Sequence, residues 1–199
     1  MRGPMTPDFQ PSDLATDFDR IRARLCDPDF LTGRGLGNEV SFFVYPYDAA
    51  REEEVRARTA QLVALSDEGR LSCRIHHRDL WEVLLQICER RGILEKIAAL
   101  EAKRGSDALL SRLQKIATPE AYVKAMDWQP HEPGTDVLLI SGVGKAYPFV
   151  RAHSVLENAQ DVFGDVPVVL LYPGRYDGQH LHLFNKIDDG NYYRAFSLL

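Results

Sequence analysis

At 199 residues and 22.5 kDa, with 45% apolar and 27% charged residues, the chain is long enough to bury a core without staples. Its 24 basic and 29 acidic residues, a net charge of -5 and a pI near 5.7 exclude a general attraction to nucleic acid and argue against direct DNA contact. No run approaches the roughly 18 apolar residues of a membrane span. The three separated cysteines, without a C-x-x-C pattern, read as reduced thiols of a cytoplasmic protein.

Residues 1–12, MRGPMTPDFQPS, lack the apolar core of a signal peptide and carry three prolines, so they read as a frayed leader. Leu14, Phe18, Ile21 and Leu25 then recur at helical spacing until CDPDF ends the element. TGRGLGNE (32–39) is a glycine-rich turn region, and VSFFVYPYD reads as a strand buried on both faces. Asp48 is placed to cap the helix of 49–69, whose three glutamates fill a first turn where the helix dipole favours negative charge. RLSCRIH alternates as a half-buried strand.

From Asp79 to about residue 127 the pattern is helical: segments close at Gly92 and Gly105, another opens on Ser106 as a cap, and Thr118-Pro119 begins the last. A second βα series follows: DVLLI as a strand, a helix from Pro148, VPVVLLY as a buried strand, PGRYDGQ as a loop, then HLHLF, a DDGN turn and YYRAFSL. Strands alternating with helices predict a single α/β domain over 13–199. It is three-layered with a mainly parallel sheet, P-loop/Rossmann-like without a functional phosphate loop, and it carries a helical insertion at about 79–127.

The stretch DVLLISGVGKAYPF has the layout of a phosphate loop but fails its requirements. In G-x-x-x-x-G-K-[ST] the first glycine falls on Leu139 and the metal-binding hydroxyl on Ala146. Pro148 also removes a backbone donor and pushes Tyr147 out of helical geometry. Cys73, His76 and His77 do not form a zinc set on a straight strand, because residues three apart point to opposite faces. His180 and His182 share a strand face without further ligands. Ser141 as a nucleophile would need a base such as His153. No complete catalytic motif, metal site or cofactor site emerges.

Three Tyr-Pro dipeptides (Tyr45-Pro46, Tyr147-Pro148, Tyr172-Pro173) follow three strands. In a parallel sheet this places them at the carboxyl rim, where α/β folds bind their ligands. The candidate binding residues are therefore Tyr45, Tyr47, Asp48, Gly142, Gly144, Lys145, Tyr147, Arg151, Tyr172, Arg175, Tyr176 and Asp177. Tyrosine and arginine favour a docking surface for a protein or an anionic ligand.

GLGNEVSFFVYPYD, SGVGKAYPFVRAHSVLENAQ, VPVVLLYPGRYDGQHLHLF and DDGNYYRAF together resemble the BrxB family of BREX phage-exclusion systems. The resemblance runs from about Asp13 to the C-terminus, with 101–133 matching only as generic helix. It implies a cytoplasmic antiviral role beside a DNA methyltransferase, a large ATPase and a PglZ-type phosphatase-superfamily protein, and it supplies no catalytic mechanism. The degraded glycine-lysine loop belongs to that family pattern. Two functions follow as expectations. The first is a non-enzymatic assembly subunit that binds another cassette protein, with the PglZ-type component as first choice. The second is a nucleotide- or phosphorylated-ligand-binding sensor or enzyme using the Gly142–Lys145 loop.

Overall fold

The computed structural model describes residues 13–33, 42–188 and 195–199. The leader, most of the glycine-rich turn, the DDGN turn after Asp188 and the start of the last strand lie outside the described residues.

The apolar stripe of α1 (Leu14–Leu25) buries Leu14, Phe18, Ile21 and Leu25, and Asp13 caps it by accepting from the Ala15 amide. Asp27 and Pro28 start the short α2 (Pro28–Leu31). The strand β1 (Phe42–Tyr47) ends at Asp48, whose carboxylate accepts from the Ala50 amide and leads through a 3-10 turn into α3 (Glu52–Asp67). Helix α3 crosses to β2 (Arg74–Asp79), which passes directly into α4 (Leu80–Arg90). The insertion continues as α5 (Ile97–Arg104), α6 (Ser106–Ile116) and α7 (Pro119–Met126), with Thr118 and Pro119 in the expected cap and first-turn positions. Next come β3 (Asp136–Ser141), α8 (Val143–Ala146), α9 (Ala152–Ala159), β4 (Val168–Tyr176), β5 (Leu181–Leu183), β6 (Ile187–Asp188) and β7 (Phe196–Ser197).

The main sheet has the order β2-β3-β4-β1-β7, with every neighbouring pair parallel. From the carboxyl half of β4 a short antiparallel extension of β5 and β6 departs. Alternation along the central strands feeds two cores. Phe42, Val44, Leu138, Ile140, Val168, Leu170 and Tyr172 face α4, α7, α8 and α9. Phe43, Tyr45, Tyr47, Val137, Leu139, Val169 and Leu171 face α1 to α3. The strands read as unbroken apolar runs because both faces are covered. Truncating a core leucine such as Leu139, 0% exposed, to alanine costs about 2–5 kcal/mol.

The architecture agrees with the sequence reading, whereas several boundaries move. Strand β2 runs on to Asp79 instead of ending at His76, because it pairs with β3 along its whole length up to Asp79 opposite Ser141. Strand β4 runs through Pro173-Gly174 to Tyr176, because β5 pairs with that half; a Cβ on Gly174 would lie 2.2 Å from the His182 carbonyl oxygen. Ser106 is no cap: its hydroxyl donates to Glu101 at 2.7 Å, and Gly105 precedes the helix with φ 81°. Pro148 does not open a helix either. The chain enters α8 straight after Gly142, turns through a cis Tyr147-Pro148 bond, and begins α9 only at Ala152.

Candidate functional site at the carboxyl edge of the sheet

The ends of β1, β2 and β3 bring Tyr47, His77, Asp79 and Ser141 to the wall of one cavity of about 300 Å³, closed on its other side by α3. Val55, Thr59 and Val63 of α3 supply much of its apolar lining, and Glu52 stands at one end. Alternation along β2 aims His77 and Asp79 to the same side, and the β2–β3 register sets Asp79 opposite Ser141.

Within the cavity wall the polar groups are tied to one another. The Tyr47 hydroxyl donates to Glu52 Oε2 at 2.5 Å. Burial raises the Tyr47 phenol pKa, and the Glu52 hydrogen bond and carboxylate add to the shift, so it remains a donor. His77 Nε2 is 2.8 Å from Ser141 Oγ. Burial pulls the His77 pKa below its ordinary value against the opposing pull of Asp79, which favours a neutral imidazole. Asp79 Oδ1 accepts from the Trp81 and Glu82 amides and so caps α4, while Oδ2 accepts from Lys145 Nζ at 2.6 Å.

Packing explains both glycines of the loop. Gly142 has φ 74°, and a Cβ there would lie 2.3 Å from Asp79 Oδ1, so only glycine permits the turn and the close approach. A Cβ on Gly144 would lie 2.9 Å from the Phe184 ring, which the β5–β6 turn folds back over the loop and Pro173. With Lys145 turned to Asp79, Gly142, Gly144 and Lys145 of the apparent phosphate motif all pack against other parts of the chain.

The expected three-tyrosine rim does not form. Tyr45-Pro46 and Tyr172-Pro173 lie inside strands that continue to Tyr47 and Tyr176, with Pro46 opposite Tyr172 in the ladder. Tyr45 is buried toward α1, its hydroxyl donating to Asp17 at 2.8 Å, and Tyr172 is buried in the opposite core. Tyr147 is half-buried, with the Arg151 guanidinium 5.9 Å from its ring centre. Asp48 is a turn cap. Arg175 and Tyr176 sit on the antiparallel half of β4, where the Tyr176 hydroxyl donates to the Ala195 carbonyl at 2.6 Å. Asp177 accepts from the Gln179 and His180 amides and contacts His182 Nε2 at 3.2 Å; the amide bonds lead in lowering its pKa to about 2.

Other pairings also resolve. Cys73 contacts Cys26, whereas His76 stacks on Trp128 with ring centres 3.8 Å apart. Among the described residues no group of three or more metal-ligating side chains forms. His153 lies buried in α9, and the base beside Ser141 is His77. Sequence reasoning missed the His77–Asp79 pair because it ended the strand at His76; their two-residue spacing was the available signal.

The family model of BREX protein BrxB matches residues 76–198. The chain belongs to the BrxB family. It is 36% identical over 186 residues to the BREX protein BrxB of Bacillus cereus (strain H3081.97), covering 91% of this chain and 95% of the relative. It is 30% identical over 181 residues to that of Escherichia coli O9:H4 (strain HS), covering 90% and 88%. No solved structure matches the chain significantly. The BrxB match takes in His77, Asp79, Ser141, the Gly142–Lys145 loop and the β5–β6 extension, whereas Tyr47 and Glu52 lie outside the matched range. Among the described residues no helix is long and apolar enough to cross a membrane.

Proposed function

We propose that the chain is a non-enzymatic assembly subunit of a cytoplasmic BREX anti-phage defence complex that binds another protein of the cassette, first the PglZ-type phosphatase-superfamily component. Family membership supplies the setting. The observation that carries the assembly reading is the loop Gly142–Lys145: its glycines accommodate Asp79 and Phe184, and its lysine is paired with Asp79. The loop thereby acts as the seat of the β5–β6 turn, which leaves Phe184 37% exposed, while Arg175 lies half-buried on the half of β4 that pairs with β5. An aromatic and an arginine on a braced extension are the residue types that anchor protein interfaces.

Co-purification of the tagged chain with each cassette protein at moderate salt tests this. Retention of the PglZ-type protein, lost in Phe184→Asn and Arg175→Glu, is the expected result. Phe184 has φ 54°, which asparagine tolerates, so the first variant removes the ring and keeps the turn. Retention of no cassette protein overturns the reading.

The cavity beside His77 and Ser141 favours a second reading, a small ligand at the sheet edge. Glu52, Asp67 and Asp79 against Arg56 make its wall unfavourable for a phosphate. Calorimetric titration with nucleotides, with and without Mg²⁺, decides it; the absence of both heat and thermal shift at millimolar ligand rejects nucleotide binding.

A further inference from the structure

Two thiols from distant parts of the sequence meet on the α1–α3 side of the sheet. Cys26 is the C-terminal cap residue of α1, and Cys73 stands immediately before β2. Their sulfurs are 3.7 Å apart. The Ser72 hydroxyl donates to the Cys26 carbonyl at 3.3 Å and ties the same two segments together. Cys73 is buried among Ile75, Leu25 and their neighbours, while Cys26 is only partly covered. The third thiol, Cys88, belongs to the core on the opposite face of the sheet.

We propose that Cys26 and Cys73 form an oxidation site: a low-molecular-weight disulfide converts them to an intramolecular disulfide that fastens the end of α1 to the start of β2. The Cys26 thiolate attacks one sulfur of the reagent, forming a mixed disulfide and releasing one reduced thiol. Cys73, losing its proton to solvent, then attacks the Cys26 sulfur and expels the second reagent thiol. Two protein thiols are oxidised and one reagent disulfide is reduced, so the exchange balances without another reactant. Burial pushes the Cys73 thiol up to about 12, with Cys26 beside it adding to the shift, which makes the more accessible Cys26 the point of entry. Neither the sheet edge nor the proposed partner surface takes part.

The test treats the full chain with oxidised glutathione, blocks remaining thiols by alkylation, and reads intact mass, a peptide map and thermal unfolding. The expected product is a monomer two hydrogens lighter before alkylation and carrying at most one alkyl group afterwards, with a Cys26–Cys73 linked peptide and Cys88 unlinked. Closing so long a loop restricts the unfolded chain, and Tm rises by roughly 5–10 °C. Cys26→Ser abolishes both the mass loss and the rise, and it decides the matter even if the more buried Cys73→Ser variant fails to fold. Glutathione adducts alone, cross-links to Cys88 or between chains, or a closed product with a lower Tm would each overturn the proposal.

Discussion

At one end of the β2–β3 ladder Arg74 faces Asp136; at the other, Asp79 faces Ser141. Each end combines a carboxylate, a histidine and a cation, yet the two differ in what surrounds the carboxylate. Asp136 is 0% exposed and accepts from Arg74 Nε at 2.8 Å, Trp128 Nε1 at 3.0 Å and the Glu132 amide at 2.9 Å, under a His76–Trp128 stack. Asp79 is partly exposed, holds Lys145 at the surface, and borders the cavity. The first is a polar knot that closes the sheet. The second leaves room beside its polar groups, and so it is the end where recognition chemistry has space to act.

Breaking the knot gives the largest expected effect. Asp136→Ala leaves the Trp128 indole and the Glu132 amide without an acceptor, while the exposed Arg74 keeps Glu132, and should cost about 3–5 kcal/mol, read as a lower urea midpoint at unchanged m-value. At the other end Gly142→Ala combines a φ of 74° with a clash against the Asp79 carboxylate, and a loss of roughly 2–3 kcal/mol is expected in the same measurement.

Acid sharpens the contrast through two windows of the same sign. Burial lowers the pKa of both His76 and His77, so the folded protein binds fewer protons and loses stability as pH falls below the unfolded histidine value of about 6.5. For Asp136, burial alone would raise the carboxyl, but the Glu132 amide, Trp128 and Arg74 outweigh it and hold the pKa low. Its contribution is therefore present above the unfolded carboxyl value of about 4 and fades as pH drops through the lower folded value. In urea midpoints measured stepwise with pH, His77→Gln should shrink the first window and leave the second in place.

The smallest effect belongs to Lys145. Its side chain is 38% exposed, and Lys145→Met should cost no more than about 1 kcal/mol by urea titration, because a partly solvated ion pair adds little. A collapse comparable to Asp136→Ala would show that the two ends are not distinct after all.

The layered α/β fold was legible because its signals are local. The spacing of Leu14, Phe18, Ile21 and Leu25, the Thr118-Pro119 start and the apolar runs of β1, β3 and β4 each specify an element without tertiary information. The site was legible only in part. Lys145, Tyr47 and the loop glycines were singled out, but what they touch depends on pairing across long separations: Asp79 with Lys145, His77 with Ser141, Gly144 with Phe184. Tyr45 and Tyr172 misled because a Tyr-Pro step looks like a strand end, whereas parallel pairing with β4 carries β1 on to Tyr47 and antiparallel pairing with β5 carries β4 on to Tyr176.

The position of β1 also bears on how the molecule is made. Its FFVYPY run pairs with β4 and β7, at 168–173 and 196–197, and among the described residues no strand precedes it in the sequence. During synthesis this stretch waits for strands not yet translated, and contacts so distant in sequence form slowly. The β1 ladder should therefore close only after β4 has been made, with a nascent β1 exposed to chaperones in the meantime.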